Sequence, residues 1–340
     1  MTDRVLLTGI SGFLGGHVAL QLLNAGYTVR GSVRNLSRAD SVKAMLANAG
    51  ADIANLEFVA LDLESDDGWQ AAMDGVRFLQ HTASPFVLRM PEDKNDLIRP
   101  AVRGTERALN AALAADVERI VLTSSMAAIA YGHEKARTAP FTANDWTNLE
   151  GRGVTPYIES KTLAERRAWE IMRAADRERD LATINPSGIF GPLLNEDPGT
   201  SVTLVQRLMN GSVPASPRIP LVAVDVRDVA QAHLAAMVSP EAGGHRFPMG
   251  ERTMFFAEVA TLLRHAFPDY AKKIPRRELP DWAVRLYALF DRDVRSNLGE
   301  LGVIKRLDSS SVVRLLDRKL TPAEKSFVAT GESLIAQGLV

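Results

Sequence analysis

Residues 4–16 read R-V-L-L-T-G-I-S-G-F-L-G-G, a short apolar run that passes straight into a glycine-rich turn. Arg4–Thr8 has the length and character of a buried strand, and Phe13–Asn24 carries Leu14, Val18 and Leu22 on one helical stripe. Gly9, Gly12 and Gly15 lie at the junction. Glycine permits a tight turn, a close backbone approach to a pyrophosphate and close packing of helix on strand. The helix N-terminus adds free N–H groups and the positive end of a dipole. A glycine triplet alone is a weak signal, and a plain strand–helix turn is the other reading. The spacing here is G-x-x-G-x-x-G rather than the tighter G-x-G-x-x-G. Its place at the first βα junction favours dinucleotide binding, with Ser11, Phe13 and Leu14 among the candidate contacts of the same loop.

Outward from this turn, short β-rich runs alternate with helical patterns. Arg4–Thr8, Thr28–Val33, Leu56–Ala60, 77–81, Arg119–Thr123 and 181–185 read as strands, with helices over Phe13–Asn24 and 102–115. The alternation predicts a Rossmann-type α/β fold, a doubly wound parallel sheet with helices on both faces. After Pro186 the rhythm breaks and prolines cluster at 186, 192, 198, 214, 217 and 220. We expect a dinucleotide-binding domain over 1–188 that regains one strand near 244–250, and a smaller, mainly C-terminal substrate-binding region over 189–340. The last stretch, 322–339, reads as one amphipathic helix.

Composition bounds the function. The chain has 340 residues, 46% of them apolar and 24% charged, the balance of a globular protein. A net charge of −1 suggests neither nucleic acid nor an anionic membrane as partner. The absence of cysteine removes disulfides, thiolate metal sites and cysteine nucleophiles. No signal peptide or spanning segment is read, no metal site is expected, and the expected location is cytoplasmic. Helices 102–115 and that of Tyr157 could pair in a homodimer, which the sequence does not decide.

The second strand bears on the choice of dinucleotide. NAD enzymes place an acid near its end for the ribose 2′-hydroxyl, whereas an arginine nearby accommodates the 2′-phosphate of NADP. Here it ends V-R-G-S-V-R-N, with Arg30 and Arg34 and no acid between Val29 and Leu36. The bland alternative is two solvated arginines. Arg34 is the better candidate, with Arg38 and Lys43 as helpers, so NADP(H) is favoured. Asp62, just past the third strand in V-A-L-D-L, suits either an adenine contact or a helix cap.

Residues 157–161 read Y-I-E-S-K, after Thr155-Pro156, which suit an N-cap and a first helical position. Tyr157, Lys161, Ala164, Ala168, Ile171, Met172 and Ala175 share one stripe, while Glu159, Arg166, Glu170, Arg173 and Arg177 face away. Lys161 is thus expected on the inward side, where an ammonium needs compensation, unless it snorkels to solvent. A nearby ammonium would lower the phenol pKa of Tyr157 from about 10 and fit it to protonate a carbonyl oxygen. In V-L-T-S-S-M, Ser124 or Ser125 could donate to the same oxygen from the carboxyl edge of the sheet, although two serines after a strand are more often a turn or cap.

Taken together, T-G-I-S-G-F-L-G, H-T-A-S-P, L-T-S-S, Y-I-E-S-K, N-P-S-G-I-F-G-P and V-D-V-R-D-V-A-Q-A-H-L resemble the extended short-chain dehydrogenases/reductases. The nearest branch is that of dihydroflavonol and cinnamoyl-CoA reductases and related microbial ketone and aldehyde reductases. The matching runs span residues 4 to about 240, and the closing R-L-L-D-R-K-L-T-P-A-E-K-S-F-V-A-T-G-E-S-L-I-A-Q-G-L-V is also similar. The resemblance implies Ser125, Tyr157 and Lys161 as the catalytic set, with Lys161 on the nicotinamide ribose. It also implies Arg34 on the 2′-phosphate, Asp62 and Leu63 by the adenine, Thr82, Ala83 and Ser84 along the dinucleotide, and Pro186 and Ser187 near the nicotinamide. His81 reads as structural, and Asp225, Arg227 and Asp228 as a fold-stabilising polar network. One departure concerns A-V-R-G-T, where Ala101 replaces the asparagine that the wider superfamily often uses in a proton relay. Phe86, Met126, Tyr131 and Phe190 would line a pocket for an apolar or aromatic ketone or aldehyde. The expected activity is reversible NADPH-dependent reduction of such a carbonyl. An NAD-dependent epimerase/dehydratase, a hydroxysteroid dehydrogenase and a non-catalytic dinucleotide sensor are the alternatives.

Overall fold

The structure, a computed structural model, describes residues 3–85, 93–197, 199–290, 295 and 298–340. Six strands arise in the first half: β1 (Arg4–Thr8), β2 (Thr28–Val33), β3 (Leu56–Ala60), β4 (Phe78–His81), β5 (Arg119–Thr123) and β6 (Leu181–Pro186). Beyond them lie β7 (Gly188–Phe190), β8 (Ser216–Pro217), β9 (Pro220–Asp225), β10 (Arg246–Met249), β11 (Arg252–Phe255) and β12 (Glu278–Leu279). The main sheet has seven strands in the order β10-β6-β5-β4-β1-β2-β3, every neighbouring pair parallel. This is the doubly wound Rossmann-type arrangement. Its order reverses between β1 and β4, where such sheets open a crevice at their carboxyl edge. In register, Thr8 lies opposite Ser32 on one side and His81 on the other.

Both sheet faces are covered, so the central strands are largely buried. One face packs against α1 (Phe13–Asn24), α2 (Ala39–Asn48), α7 (Val226–Val238) and α10 (Ser310–Leu316), through side chains such as Val18, Leu22, Leu46, Val229 and Val312. The other packs against α3 (Trp69–Ala72), α4 (Asn95–Ala114) and α5 (Pro156–Ala174), through Trp69, Leu109, Ala168 and Met172. Helix α4 starts seven residues before the expected 102 and runs through Pro100. Proline removes one N–H and crowds the carbonyl four residues earlier, which belongs to Asp96, an exposed residue that water can satisfy. The ring therefore sits near the helix start without breaking it.

A smaller unit is built on β7, β9 and β11 with α6 (Gly199–Met209), α8 (Phe256–Ala266) and α11 (Ala323–Ala336). A short pair of β8 and β12 and helix α9 (Asp281–Tyr287) complete it. Phe190 is 1% exposed and meets Phe327 of α11 at a ring-centroid distance of 4.3 Å. Two buried carboxylates tie α7 to the chain end. Asp225 caps Arg227 N at 2.8 Å and accepts from Ser326 Oγ at 2.8 Å, while Asp228 accepts from Arg318 Nη2 at 2.6 Å and Thr321 N at 2.5 Å. Among the described residues no helix is long and apolar enough to cross a membrane.

Candidate active site

The carboxyl ends of β1, β4, β5 and β6 converge on one crevice. At its floor, Gly9 has φ +75°, and a Cβ there would stand 2.9 Å from the backbone of Ala83. A Cβ on Gly15 would fall 2.0 Å from the carbonyl oxygen of Gly9. Only hydrogen fits at either place, so the turn brings bare backbone to the start of α1. Gly12 is the N-cap of α1, with no side-chain capping bond among the described residues and no acid in the first turn. Those N–H groups remain free for an anion.

The segment after β4 is knitted to this turn. Thr8 Oγ1 lies 2.8 Å from His81 Nδ1 and accepts from Ala83 N at 3.2 Å, while Thr82 Oγ1 donates to Thr8 O at 2.7 Å. Burial is the larger cause, and the nearby Lys161 charge the smaller, that hold His81 down at a pKa of about 3. It is neutral at physiological pH.

Helix α5 begins as its sequence dictates. Thr155 Oγ1 accepts from Ile158 N at 3.3 Å, and Pro156 occupies the first turn. Tyr157, in that turn, is 41% exposed along the crevice, but the protein around its hydroxyl dominates its acidity. Burial raises its pKa, and a hydrogen bond with the Ser125 side chain opposes the rise. The lowering expected from Lys161 is therefore not found in this structure. The Lys161 ammonium is engaged elsewhere, donating to Ser84 Oγ at 2.9 Å. Its own pKa is pushed down to about 8 by burial, against the attraction of Glu165.

The two candidate serines separate. Ser124 is buried and donates to Glu165 Oε2 at 2.5 Å, whereas Ser125 accepts from Ala127 N at 3.1 Å and meets Tyr157. Ser187, next to the end of β6, has a buried Oγ with no hydrogen-bond partner among the described residues. An orphaned hydroxyl at this edge, bare glycine backbone and an uncapped helix start together fit a dinucleotide. At the far edge Arg34 follows β2, exposed, with no ion pair among the described residues. Arg30 is instead consumed by the fold, bonded to Glu57 and to the carbonyls of Ala72 and Asp74. Asp62 Oδ1 accepts from Glu64 N at 2.9 Å, a local turn rather than a helix cap. Leu63 packs against α4 at Gly104.

The expected pocket wall is only partly assembled. Phe86 lies outside the described residues. Phe190 is 1% exposed and belongs to the core around Phe327. Met126 is 7% exposed among Ile129, Ala130, Phe141 and Val222. Tyr131 is flanked by Tyr157 and Glu300, and burial, then those neighbours, raise its pKa above the usual phenol range. Lys305 Nζ lies 4.3 Å from the Tyr131 ring centroid and pairs with Glu300. A cavity of about 330 Å³ opens behind, between Ala130, His133, Phe141, Glu300, Val303 and Ile304. Beside Lys161 a second cavity of about 20 Å³ is bounded by Ala101, Thr105, His81, Ser84 and Ser124.

Sequence reading missed Glu165 and the segment 298–307. Glu165 carries a weak signal, four residues after Lys161, but its partners are scattered along the chain. Segment 298–307 carries none.

The family model of the "NAD dependent epimerase/dehydratase family" matches residues 5–250. Cinnamoyl-CoA reductase CAD2 of Medicago truncatula is 34% identical over 270 residues, covering 78% of this chain and 81% of its own. Ketoreductase azaE of Aspergillus niger is 33% identical over 299 residues, covering 83% and 87%. The yeast methylglyoxal/isovaleraldehyde reductase Gre2, solved with NADPH, superposes with a TM-score of 0.80 at 26% identity, covering 99% of this chain and 100% of that one. With its glycine turn, its sheet order and these reductases among its relatives, the chain belongs to the NAD dependent epimerase/dehydratase family, on its reductase side.

Proposed function

We propose that this protein is an NADPH-dependent carbonyl reductase, reversible as an alcohol dehydrogenase, acting on apolar or aromatic ketones or aldehydes. The observation that carries the reading is the Ser125 side chain set beside the Tyr157 phenol, one helical turn from Lys161, at the carboxyl edge beside the glycine turn. Named reductases among the relatives support it.

When bound, NADPH supplies the hydride. The glycine turn, with Gly9, Gly12 and Gly15 and the amides near Ser11, Phe13 and Leu14, would hold the pyrophosphate. Arg34 would take the 2′-phosphate in a charge-assisted contact. Asp62 and Leu63 would lie by the adenine, Thr82, Ala83 and Ser84 along the dinucleotide, and Pro186 and Ser187 near the nicotinamide. Lys161 would bind the nicotinamide ribose.

In catalysis Ser125 donates a hydrogen bond to the carbonyl oxygen, and Tyr157 delivers its phenolic proton to that same oxygen as charge develops there. A raised phenol pKa suits the donor role in reduction, since the proton is present throughout the neutral range. Lys161, still charged below about pH 8, stabilises the phenolate left behind. Met126 and Tyr131 shape the substrate side. This reading includes a cytoplasmic enzyme, with the outer faces of α4 and α5 as the contact of a homodimer.

The test is initial-rate oxidation of NADPH and NADH over aromatic ketones, aliphatic aldehydes and keto esters, with Tyr157→Phe in parallel. The expected outcome is NADPH consumption that falls on the order of 10²–10⁴-fold in the variant, with NADPH affinity retained. Tightly bound NAD in the purified protein and no turnover would point instead to an epimerase or dehydratase. A preference for small charged carbonyls would sink the apolar substrate class.

A further inference from the structure

A buried carboxylate underlies the catalytic edge. Glu165, one turn after Lys161 on α5, is 1% exposed. Its oxygens accept from Ser124 Oγ at 2.5 Å, Arg246 Nε at 2.6 Å, Asn185 Nδ2 at 2.7 Å and Thr183 Oγ1 at 3.1 Å. Trp169 Nε1 and Arg246 Nη2 add longer contacts, each at 3.3 Å. These donors come from the residue just after β5, from its neighbouring strand β6 and the next, β10, and from the helix itself.

The placement of the donors gives the network its direction. Ser124 immediately precedes Ser125. Asn185 immediately precedes Pro186 and Ser187, and its Nδ2 also reaches the carbonyl of Ser125 at 3.4 Å. Behind the carboxylate, Arg246 stacks 3.8 Å from the Trp146 ring centroid and donates to the carbonyls of Ala143 and Asp145 at 2.7 and 2.6 Å. That segment continues to Thr147, whose hydroxyl donates to Ala127 O at 2.7 Å and accepts from Tyr131 N at 3.1 Å. One carboxylate thus joins the chain on either side of Ser125, the helix of Tyr157 and Lys161, and the turn carrying Met126 and Tyr131. Burying an ion pair is a poor way to gain stability, because apolar residues of similar volume would do as well. A satisfied polar network does fix position, since each group has few geometries that keep all its bonds.

We propose that Glu165 is a positioning residue for the reaction, setting Ser125 against Tyr157 through Ser124 and Asn185, and lining the same small cavity as Lys161 one turn away. This rests on the reductase reading above. Around Lys161 the facing groups are Glu165 on its own helix, and His81 and Ser84 from β4 and its following segment. Among these described residues Glu165 is the anion.

The experiment compares Ser124→Ala, Glu165→Gln and Glu165→Asp by kcat, KM for NADPH, the pH profile of kcat/KM and Tm. Ser124→Ala leaves the Glu165–Arg246 pair intact. It should keep its fold and NADPH KM while kcat falls about tenfold, because misplacement of a reacting group by a fraction of an ångström is enough to slow the chemistry. Glu165→Gln should lose about a hundredfold in kcat, with the alkaline limb of kcat/KM moved to lower pH. Glu165→Asp should restore that limb without restoring kcat, since the charge returns and the reach does not. Variants that lose Tm but keep the parental kcat and pH profile would overturn the proposal. If Glu165→Gln does not fold, an unchanged kcat in Ser124→Ala overturns it alone. Full activity in Tyr157→Phe, assayed alongside, would overturn the reductase reading itself and remove the basis of this one.

Discussion

Lys161 Nζ donates to Ser84 Oγ at 2.9 Å, joining helix α5 to the segment after β4 across the crevice. The ammonium carries two further N–H donors. Its burial is costly, which is why its pKa falls to about 8.

That shift sets a pH window with a definite sign. Between about pH 8 and the ordinary lysine value of 10.5 the unfolded chain keeps the Lys161 proton and the folded chain has released it. The unfolded state then binds more protons, so this residue makes stability rise with pH across the window, by up to about 1.4 kcal/mol per pH unit. Urea titrations of the parent and Lys161→Met at pH 7.5, 8.5 and 9.5 should show the parent gaining on the variant. Activity should run the other way, with kcat/KM falling as pH passes about 8 in the free enzyme, because the charged form is lost. Parallel stability curves would mean that Lys161 titrates in the folded protein as it does in water.

Arg34 should govern the choice between dinucleotides. It stands exposed at the end of β2 with no ion pair among the described residues, while Arg30 is fully engaged by Glu57, Ala72 and Asp74. Loss of one charge-assisted contact costs about 1.5–3 kcal/mol, roughly a ten- to hundredfold weakening. Arg34→Ala should show that loss for NADPH and almost none for NADH, measured by fluorescence titration. Arg30→Ala should lower Tm instead. Equal weakening toward both dinucleotides in Arg34→Ala would remove it from the 2′-phosphate.

Gly15 offers a sharper steric test. A Cβ there meets the Gly9 carbonyl oxygen at 2.0 Å, against backbone that cannot swing aside. Overpacking costs about 1–3 kcal/mol where side chains can yield, so Gly15→Ala should reach the upper end of that range or exceed it. NADPH binding should be lost together with Tm. A variant that binds NADPH like the parent would show that the turn has slack the structure lacks.

The sheet was legible because each strand–helix unit announces itself locally: R-V-L-L-T-G before α1, and the stripe of Ala164, Ala168, Ile171 and Met172 on α5. Thr155-Pro156 marked the start of that helix for the same reason. Glu165 was not legible, since its partners at 124, 183, 185 and 246 are brought together only by sheet order. Phe190 is a related case. It follows the N-P-S-G motif at the crevice edge, yet on strand β7 its side chain turns to Phe327, a residue 137 positions later that no local pattern could place beside it. The phenol acidity of Tyr157 was misjudged because Tyr-x-x-x-Lys spacing brings the two side chains onto one face without specifying what else the ammonium bonds.

His233, beneath the sheet, should limit stability in acid. Its Nδ1 lies 2.8 Å from Gln80 Oε1 and its Nε2 lies 2.9 Å from Thr123 Oγ1, while Gln80 Nε2 donates to the His233 carbonyl at 3.0 Å. With the Gln80 amide so oriented, Oε1 can only accept, so Nδ1 carries the proton and Nε2 accepts from Thr123. Burial lowers the pKa to about 3, and the ring is neutral in the fold. Between pH 6.5 and about 3 the unfolded histidine is protonated and the folded one is not, so stability is full above this window and falls with pH through it, by up to about 1.4 kcal/mol per unit. His81 acts in the same direction, its pKa also held near 3. Stability of the parent and of His233→Gln, compared at pH 7, 6, 5 and 4, should converge as pH falls, because the variant has lost the penalty along with the ring. A constant difference across that range would mean that the folded protein accepts the proton, and that the Gln80–His233–Thr123 bridge is open to water.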